Sequence, residues 1–322
     1  MKAIAITNKG IEDICALEIK EILKKDSQIN SEFVVFEASE KEIVKLIYLG
    51  RSFSKILLVD DFNKWVQGKT FAVRGGNTEL QKKIADKILQ GKVNLNNPDV
   101  TIYSIDSANY GIDLCGEDLS KRDYRIFLGP ESLKGNVTYS LIRLAGFNSE
   151  KKLLDCCCKS GVIPIETALY SLEKSVHYYS KDKFLFLNYW KWSEKYLEKL
   201  DFENEKTSLQ IYSSDSSMNH LNAAKKNAKI AGVNKNIKFS RVDLKDIDLK
   251  YSEIDCLITI PSGKPEHFFK QAKEILSKKG KIVLIMKKNS EEFKKESKDF
   301  KLVEERTVMQ GKEEWKALVF EN

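Results

Sequence analysis

Apolar and polar positions follow two different rhythms along this chain, and the change falls near residue 130. In the first part, residues 3–8 (AIAITN) read as a strand. Residues 11–24 then place Ile11, Ile14, Cys15, Leu17, Ile19 and Ile22 close to a helical stripe. Residues 32–38 and 54–60 are further strand-like runs, and Ser39 followed by Glu42 predicts a capping box opening a helix to about Leu49. This β-α-β-α-β alternation predicts a small α+β sandwich of the ferredoxin-like type over residues 1–62. Residues 63–128 repeat the mixture. A strand is expected at 70–74, a helix at 78–90 stopped by Gly91, a polar turn at 92–99, and strands at 100–106 and 110–115.

Beyond residue 130 the pattern is regular. A helix at 131–146 is followed by short apolar strands at 152–157, 208–213, 237–241, 254–260 and 281–286, separated by helical stretches. Such alternation predicts an α/β fold with a parallel sheet covered on both faces. Two strand-like runs, 301–308 and 314–320, are split by Gln310-Gly311-Lys312 and read as an antiparallel hairpin.

Length and composition narrow this only a little. A chain of 322 residues suggests two or three domains. No apolar run approaches the roughly 20 residues of a membrane span, and the first apolar stretch is too short for a signal peptide. A cytosolic protein without a membrane partner is expected. There are six cysteines, no CxxC pair and three histidines, so buried free thiols in a reducing compartment are the better reading and no metal site is expected. The net charge of +7 permits a nucleic-acid partner without demonstrating one. Much of it comes from mixed runs such as residues 287–301, which read as a solvated helix face.

The chemistry is concentrated at residues 153–166, Leu-Leu-Asp-Cys-Cys-Cys-Lys-Ser-Gly-Val-Ile-Pro-Ile-Glu. Strand, small-residue turn and helix in that order describe the nucleotide-binding corner of a doubly wound sheet. The run resembles the first motif of class I S-adenosylmethionine (SAM) methyltransferases that act on RNA. It keeps Asp155, Cys158, Ser160, Gly161, Ile163, Pro164, Ile165 and Glu166, and has Lys159 where the family has its first glycine. The N-terminal half resembles the ferredoxin-like plus THUMP pair of several RNA-modifying enzymes, through Ile6–Asp13, Phe71–Gly76, Val93–Asp99 and Gly111–Leu114. Arg122-Asp123-Tyr124-Arg125 and Pro130-Glu131-Ser132-Leu133-Lys134 are similar to that family's junction. The resemblance spans nearly the whole chain and is strongest to tRNA guanosine N2-methyltransferases of an archaeal type. It implies a ferredoxin-like domain at 1–62, a THUMP domain at 63–128 and a Rossmann-like class I methyltransferase domain at 129–322.

The resemblance also implies roles. SAM would be held by Asp155, Ser160 and Gly161 at the loop, by Asp215 at the ribose and by Asp243 at the adenine. The residues alone leave helix N-capping open for Asp215 and Asp243. Lys159 could fill the methionine site, point outward or pair with the cofactor's carboxylate. The family's Asn/Asp-Pro-Pro-Tyr/Phe loop, which aims an exocyclic amine and stacks on the flipped base, corresponds here to Ile260-Pro261-Ser262-Gly263. Pro261 is kept, but Ile260 stands at the acceptor position and cannot accept a hydrogen bond. The aromatic run 184–192 resembles an insertion beside the family's active site, with core packing as the plainer reading. Arg74, Lys82, Lys83, Arg122, Arg125 and Lys134 are the candidate contacts to tRNA. Two readings follow, methylation of a guanosine amine in tRNA and a catalytically degenerate RNA-binding protein on the same fold.

Overall fold

The first strand carries the logic of the N-terminal half. The computed structural model describes residues 1–129, 131–201 and 208–322, so Pro130 of the junction motif lies outside them. In chain order the first half holds β1 (Lys2–Ile6), α1 (Glu12–Leu23), β2 (Ser27–Asn30), β3 (Phe33–Glu37), α2 (Glu40–Leu49) and β4 (Lys55–Val59). It continues with α3 (Phe62–Val66), β5 (Thr70–Arg74), α4 (Thr78–Ala85), β6 (Lys92–Val93), β7 (Val100–Ser104) and β8 (Tyr110–Asp113). Alternation along β1 sends Ala3 and Ala5 into a core shared with Cys15, Ile19, Ile43 and Ile47 of α1 and α2, while Ile4 packs on the opposite face with Phe33 and Leu57. The expected capping box is present, with Ser39 and Glu42 bonding each other's backbone N–H.

Strands β2-β3-β1-β4 are antiparallel neighbours in the order of a β-α-β-β-α-β unit. The sheet then continues through β4–β8 pairing into β8-β7-β5-β6, giving eight strands in all. Three elements differ from the sequence pattern. Strand β2 (SQIN) has no buried residue and exists by backbone pairing with β3, which apolar periodicity does not register. Strand β6 falls in the expected polar turn. Helix α4 stops at Ala85 rather than near 90, because Lys87, Leu89 and Gln90 are exposed and offer no buried face beyond Ile84.

The second half holds α5 (Gly135–Leu144), β9 (Leu153–Asp155), α6 (Val162–Ser171), α7 (Phe186–Tyr189), α8 (Ser193–Leu200), β10 (Ile211–Asp215), α9 (Met218–Ile230) and β11 (Ile237–Arg241). After these come β12 (Ile254–Thr259), α10 (Pro265–Ile275), β13 (Leu276–Met286), α11 (Ser290–Glu296), β14 (Lys301–Gln310) and β15 (Glu313–Glu321). The seven-stranded order is β11-β10-β9-β12-β13-β15-β14, parallel through β13 and antiparallel at the last two, as the pattern predicts. Leu153, Ile258 and Val283 face α5 and α6, while Leu154, Leu257 and Leu284 face the phenylalanines of α10 and α11. Helix α5 begins later than 131 because Lys134 is extended and Glu131 has a φ of +56°.

A buried polar network joins the halves. Arg122 donates to Glu166 on α6 at 2.9 Å, to Leu119 O and to Arg51 O, and Tyr124 donates to the same Glu166 at 2.7 Å. Arg51 in turn reaches Leu169 O and Lys174 O. Arg122 was a candidate RNA contact, but its side chain is wholly buried in an ion pair and cannot meet a phosphate. Arg125 is also turned inward, donating to Ser132 Oγ at 3.1 Å. At the other edge, hairpin strand β14 clasps the β1–α1 turn. Asn8 Nδ2 donates to Met309 O, Met309 N to Lys9 O, and Arg306 to Gly10 O and Asp13. The aromatic run bridges as well. Phe184, Phe186 and Trp190 belong to the N-terminal core, and Tyr189 and Trp190 meet Trp65 edge-on. That packing removes these rings from a base-stacking role, although Trp192 stays partly exposed.

Candidate active site

Parallel strands leave their C-terminal ends at one edge, and ligands of such sheets sit where the strand order reverses. Here that point lies around β9, with β10 and β11 on one side and β12 on the other. The turn after β9 is braced by its neighbours. Cys158 N donates to Ser214 O at 3.0 Å and Lys159 N to Asp215 Oδ2 at 3.1 Å. Gly161 opens α6 with φ +80°, and a Cβ there would lie 2.7 Å from Ala224 Cβ. Its smallness therefore serves the close approach of α9. Asn227 on α9 donates to both Ser160 O and Phe127 O, tying the junction to the loop. Ser160 is buried beneath these bonds.

Asp155 is likewise engaged by neighbouring strands. It is buried at 1% exposure, with Oδ1 accepting from the Thr259 hydroxyl at 2.8 Å and from Cys157 N. Burial above all raises its carboxyl to about 8, which the Thr259 bond only partly offsets. Asp155 is thus a protonated brace between β9 and β12 at neutral pH. A native pKa above the unfolded value means the folded chain holds a proton that the unfolded chain lacks, so stability falls as pH rises from about 4 to about 8. Asp155→Asn keeps the acceptor oxygen and removes the proton exchange. Its stability relative to wild type should improve with rising pH, by up to about 1.4 kcal/mol per unit, in urea titrations between roughly pH 5.5 and 8.5. Parallel pH dependences for the two proteins would refute this.

Two expected acids do share one cavity. A space of about 250 Å³ is lined by Cys157, Asp215, Asp243, Ser262, Lys264 and His267, among others. Asp215 is nearly buried, and its oxygens accept from Lys159 N, from Ser217 N at 2.9 Å and lie 3.1 Å from His220 Nδ1. The N-cap of α9 is Ser217 rather than Asp215. Asp243, exposed, does cap the short 3-10 turn Leu244–Leu249 through Lys245 N. Cys157 and His267, which line the cavity, were not singled out from the sequence, because distant strand pairing brings them there; nor was His220, which meets Asp215 from the start of α9. Lys159 has φ +48° and pairs its ammonium with Glu131, so it does not reach the cavity.

The loop after β12 completes the edge. Ile260 is buried in the core with Ile258 and Val283, so its side chain does not face a substrate. Pro261 is half-buried and Ser262 exposed, with Ser262 Oγ 3.1 Å from Cys157 Sγ. Gly263 has φ +82° with open space where a side chain would stand. Among the tRNA candidates, Arg74, Lys82 and Lys83 are exposed, with Lys83 paired to Glu79, and Lys134 leans toward Asp118 at 3.4 Å.

Residues 122–264 match the family model described as RMKL-like, methyltransferase domain. That stretch is thus similar to a methyltransferase domain. Over most of its length the chain is also similar to tRNA (guanine(6)-N2)-methyltransferases. It is 28% identical to that of Methanocaldococcus jannaschii, over 86% of this chain and 88% of the relative. It is 27% identical to that of Archaeoglobus fulgidus, over 87% and 82%. The fold is shared with TrmN from Thermus thermophilus at a TM-score of 0.73 and 17% identity, over 100% of this chain and 99% of that one. It is shared as well with SMU.472 in complex with SAH, at 0.79 and 19%, over 99% and 97%. Within the matched region, the cavity beneath Asp215 and Asp243 offers acceptors that suit the donors of SAM, hydroxyls on ribose and an amine on adenine. No helix among the described residues is long and apolar enough to cross a membrane.

Proposed function

We propose that the protein is a SAM-dependent tRNA methyltransferase that modifies the exocyclic N2 amine of a guanosine, working in the cytoplasm. The observation that carries this is the single cavity that joins Asp215 and Asp243, from two successive strand ends, to the loop after β12. The tRNA (guanine-N2) activity named for the two archaeal relatives supplies the substrate class. SAM, when bound, supplies an electrophilic methyl group. Asp215 would accept from the ribose hydroxyls, while His220 and the Lys159 and Ser217 N–H groups fix its orientation. Asp243 would accept from the adenine amine. The backbone carbonyls beside Pro261 remain as amine acceptors, since the Ile260 side chain contributes none. We read residues 1–62 as the ferredoxin-like domain, 63–128 as a THUMP domain and 129–322 as the methyltransferase domain. In this reading Arg74, Lys82 and Lys83 meet tRNA phosphates.

The buried Ile260 favours one alternative, a chain that binds tRNA without modifying it. Incubation with tRNA and methyl-labelled SAM, followed by nucleoside analysis, decides between them. N2-methylguanosine is the expected product, and tRNA binding without label transfer would establish the alternative. Removing Arg74, Lys82 or Lys83 should lower the slope of log affinity against log salt by about 0.7 to 0.9 each.

A further inference from the structure

The loop after β12 lacks the family's amine acceptor, yet it holds one side-chain oxygen placed for that work. Thr259 is fully buried and its hydroxyl is spent on Asp155. Ile260, Pro261 and Gly263 carry no polar side-chain atom, and Lys264 only donates. Ser262 differs from all of these. It is exposed, it lines the cavity that holds Asp215 and Asp243, and its Oγ lies 3.1 Å from Cys157 Sγ.

Resting on the function proposed above, we propose that Ser262 is the side-chain amine acceptor of this methyltransferase, beside the backbone carbonyls, and that Cys157 aims it. A hydroxyl has one proton and two lone pairs. With the proton given to Cys157 Sγ, both lone pairs of Ser262 Oγ are turned to the cavity, where a guanosine N2–H can donate to one. That hydrogen bond holds the amine with its nitrogen lone pair toward the methyl group. The N2 lone pair then forms the new N–C bond as the C–S bond of SAM breaks. The electron pair of that bond leaves on sulfur, and the proton lost from nitrogen passes to water. Hydrogen bonds from Cys156 and from Ser262 lower the Cys157 thiol against its burial. The arrangement is absent from the family pattern, where a proline stands at the place of Ser262. It also gives a physical role to Cys157, whose sulfur meets this loop.

The test uses the full chain, tRNA and labelled SAM, with kcat, KM and SAM affinity measured separately. Ser262→Ala should lower kcat by about a hundredfold, on the precedent of single oriented groups in active sites, with SAM affinity held within about twofold. Ser262→Thr should recover most of the loss, because it restores the hydroxyl. Cys157→Ala should lower kcat by about tenfold with little change in KM, and Cys157→Ser should recover it. A wild-type chain that is active while Ser262→Ala stays within about threefold of it overturns the proposal and leaves the proposed function standing. Loss of SAM affinity in Ser262→Ala also overturns it, since the residue would then be part of the cofactor's wall. A wild-type chain that transfers no methyl group overturns the functional reading, and this proposal with it.

Discussion

Arg122→Met should lower the unfolding free energy by about 3 to 5 kcal/mol, because it leaves Glu166 as an unpaired charge in a buried site. Both side chains of that pair have no exposed surface. Arg122 donates to Glu166 through Nε and also satisfies Leu119 O and Arg51 O. Tyr124 remains as a partner of Glu166, but one phenol hydrogen bond does not neutralise a carboxylate. The double variant Arg122→Met with Glu166→Met should recover a good part of the loss, since removing both charges also removes the desolvation cost. Gly135 adds a further constraint, for a Cβ there would lie 2.3 Å from Arg122 Nε. Urea unfolding of the wild type and both variants measures this. A single variant within about 1 kcal/mol of wild type would show that the junction does not depend on the pair.

Gly10→Ala should cost about 2 kcal/mol or more and loosen the hairpin from the first domain. At φ +94° an added Cβ would sit 1.9 Å from Thr307 O, a backbone atom of β14 that cannot rotate away. Overpacking of about 1 to 3 kcal/mol therefore adds to the strain of a left-handed residue. Gly311 at the hairpin tip is the control. It has φ +67° but nothing within 4 Å, so Gly311→Ala should show the backbone strain alone, about 1 kcal/mol. The difference between the two isolates the docking contact. Amide exchange of Met309 N–H, which bonds to Lys9 O, should accelerate in Gly10→Ala and not in Gly311→Ala. Equal losses in the two variants would remove the contact from the account.

The aspartates show where one-dimensional reading reached its edge. Asp155, Asp215 and Asp243 each end a strand or follow one, and the motif made them equal candidates. The fold separates them by depth. Asp155 lies between β9 and β12, where the hydroxyl of Thr259, 104 residues away, donates to its carboxyl oxygen. Asp215 and Asp243 end on the open edge. Charge placement divides likewise. Arg74 and Arg122 look alike as letters, but one is exposed and the other spends its guanidinium on a carboxylate 44 residues on.

By itself the sequence determined the order and kind of the main elements. The reason is local, because burying one face of a helix or strand writes a period of 3.6 or 2 into the chain. It also determined the corner at residues 153–166, where strand, small-residue turn and helix follow one another without help from distant residues. Tertiary structure alone decided β2 and β6, whose stability lies in backbone pairing, and the placement of the aromatic run against the N-terminal sheet. It decided as well that Ile260 turns into the core while Ser262 meets Cys157, 105 residues away. Such partners are fixed by which strands lie side by side, and strand neighbourhood in a parallel sheet is a property of the assembled core rather than of any local stretch of chain.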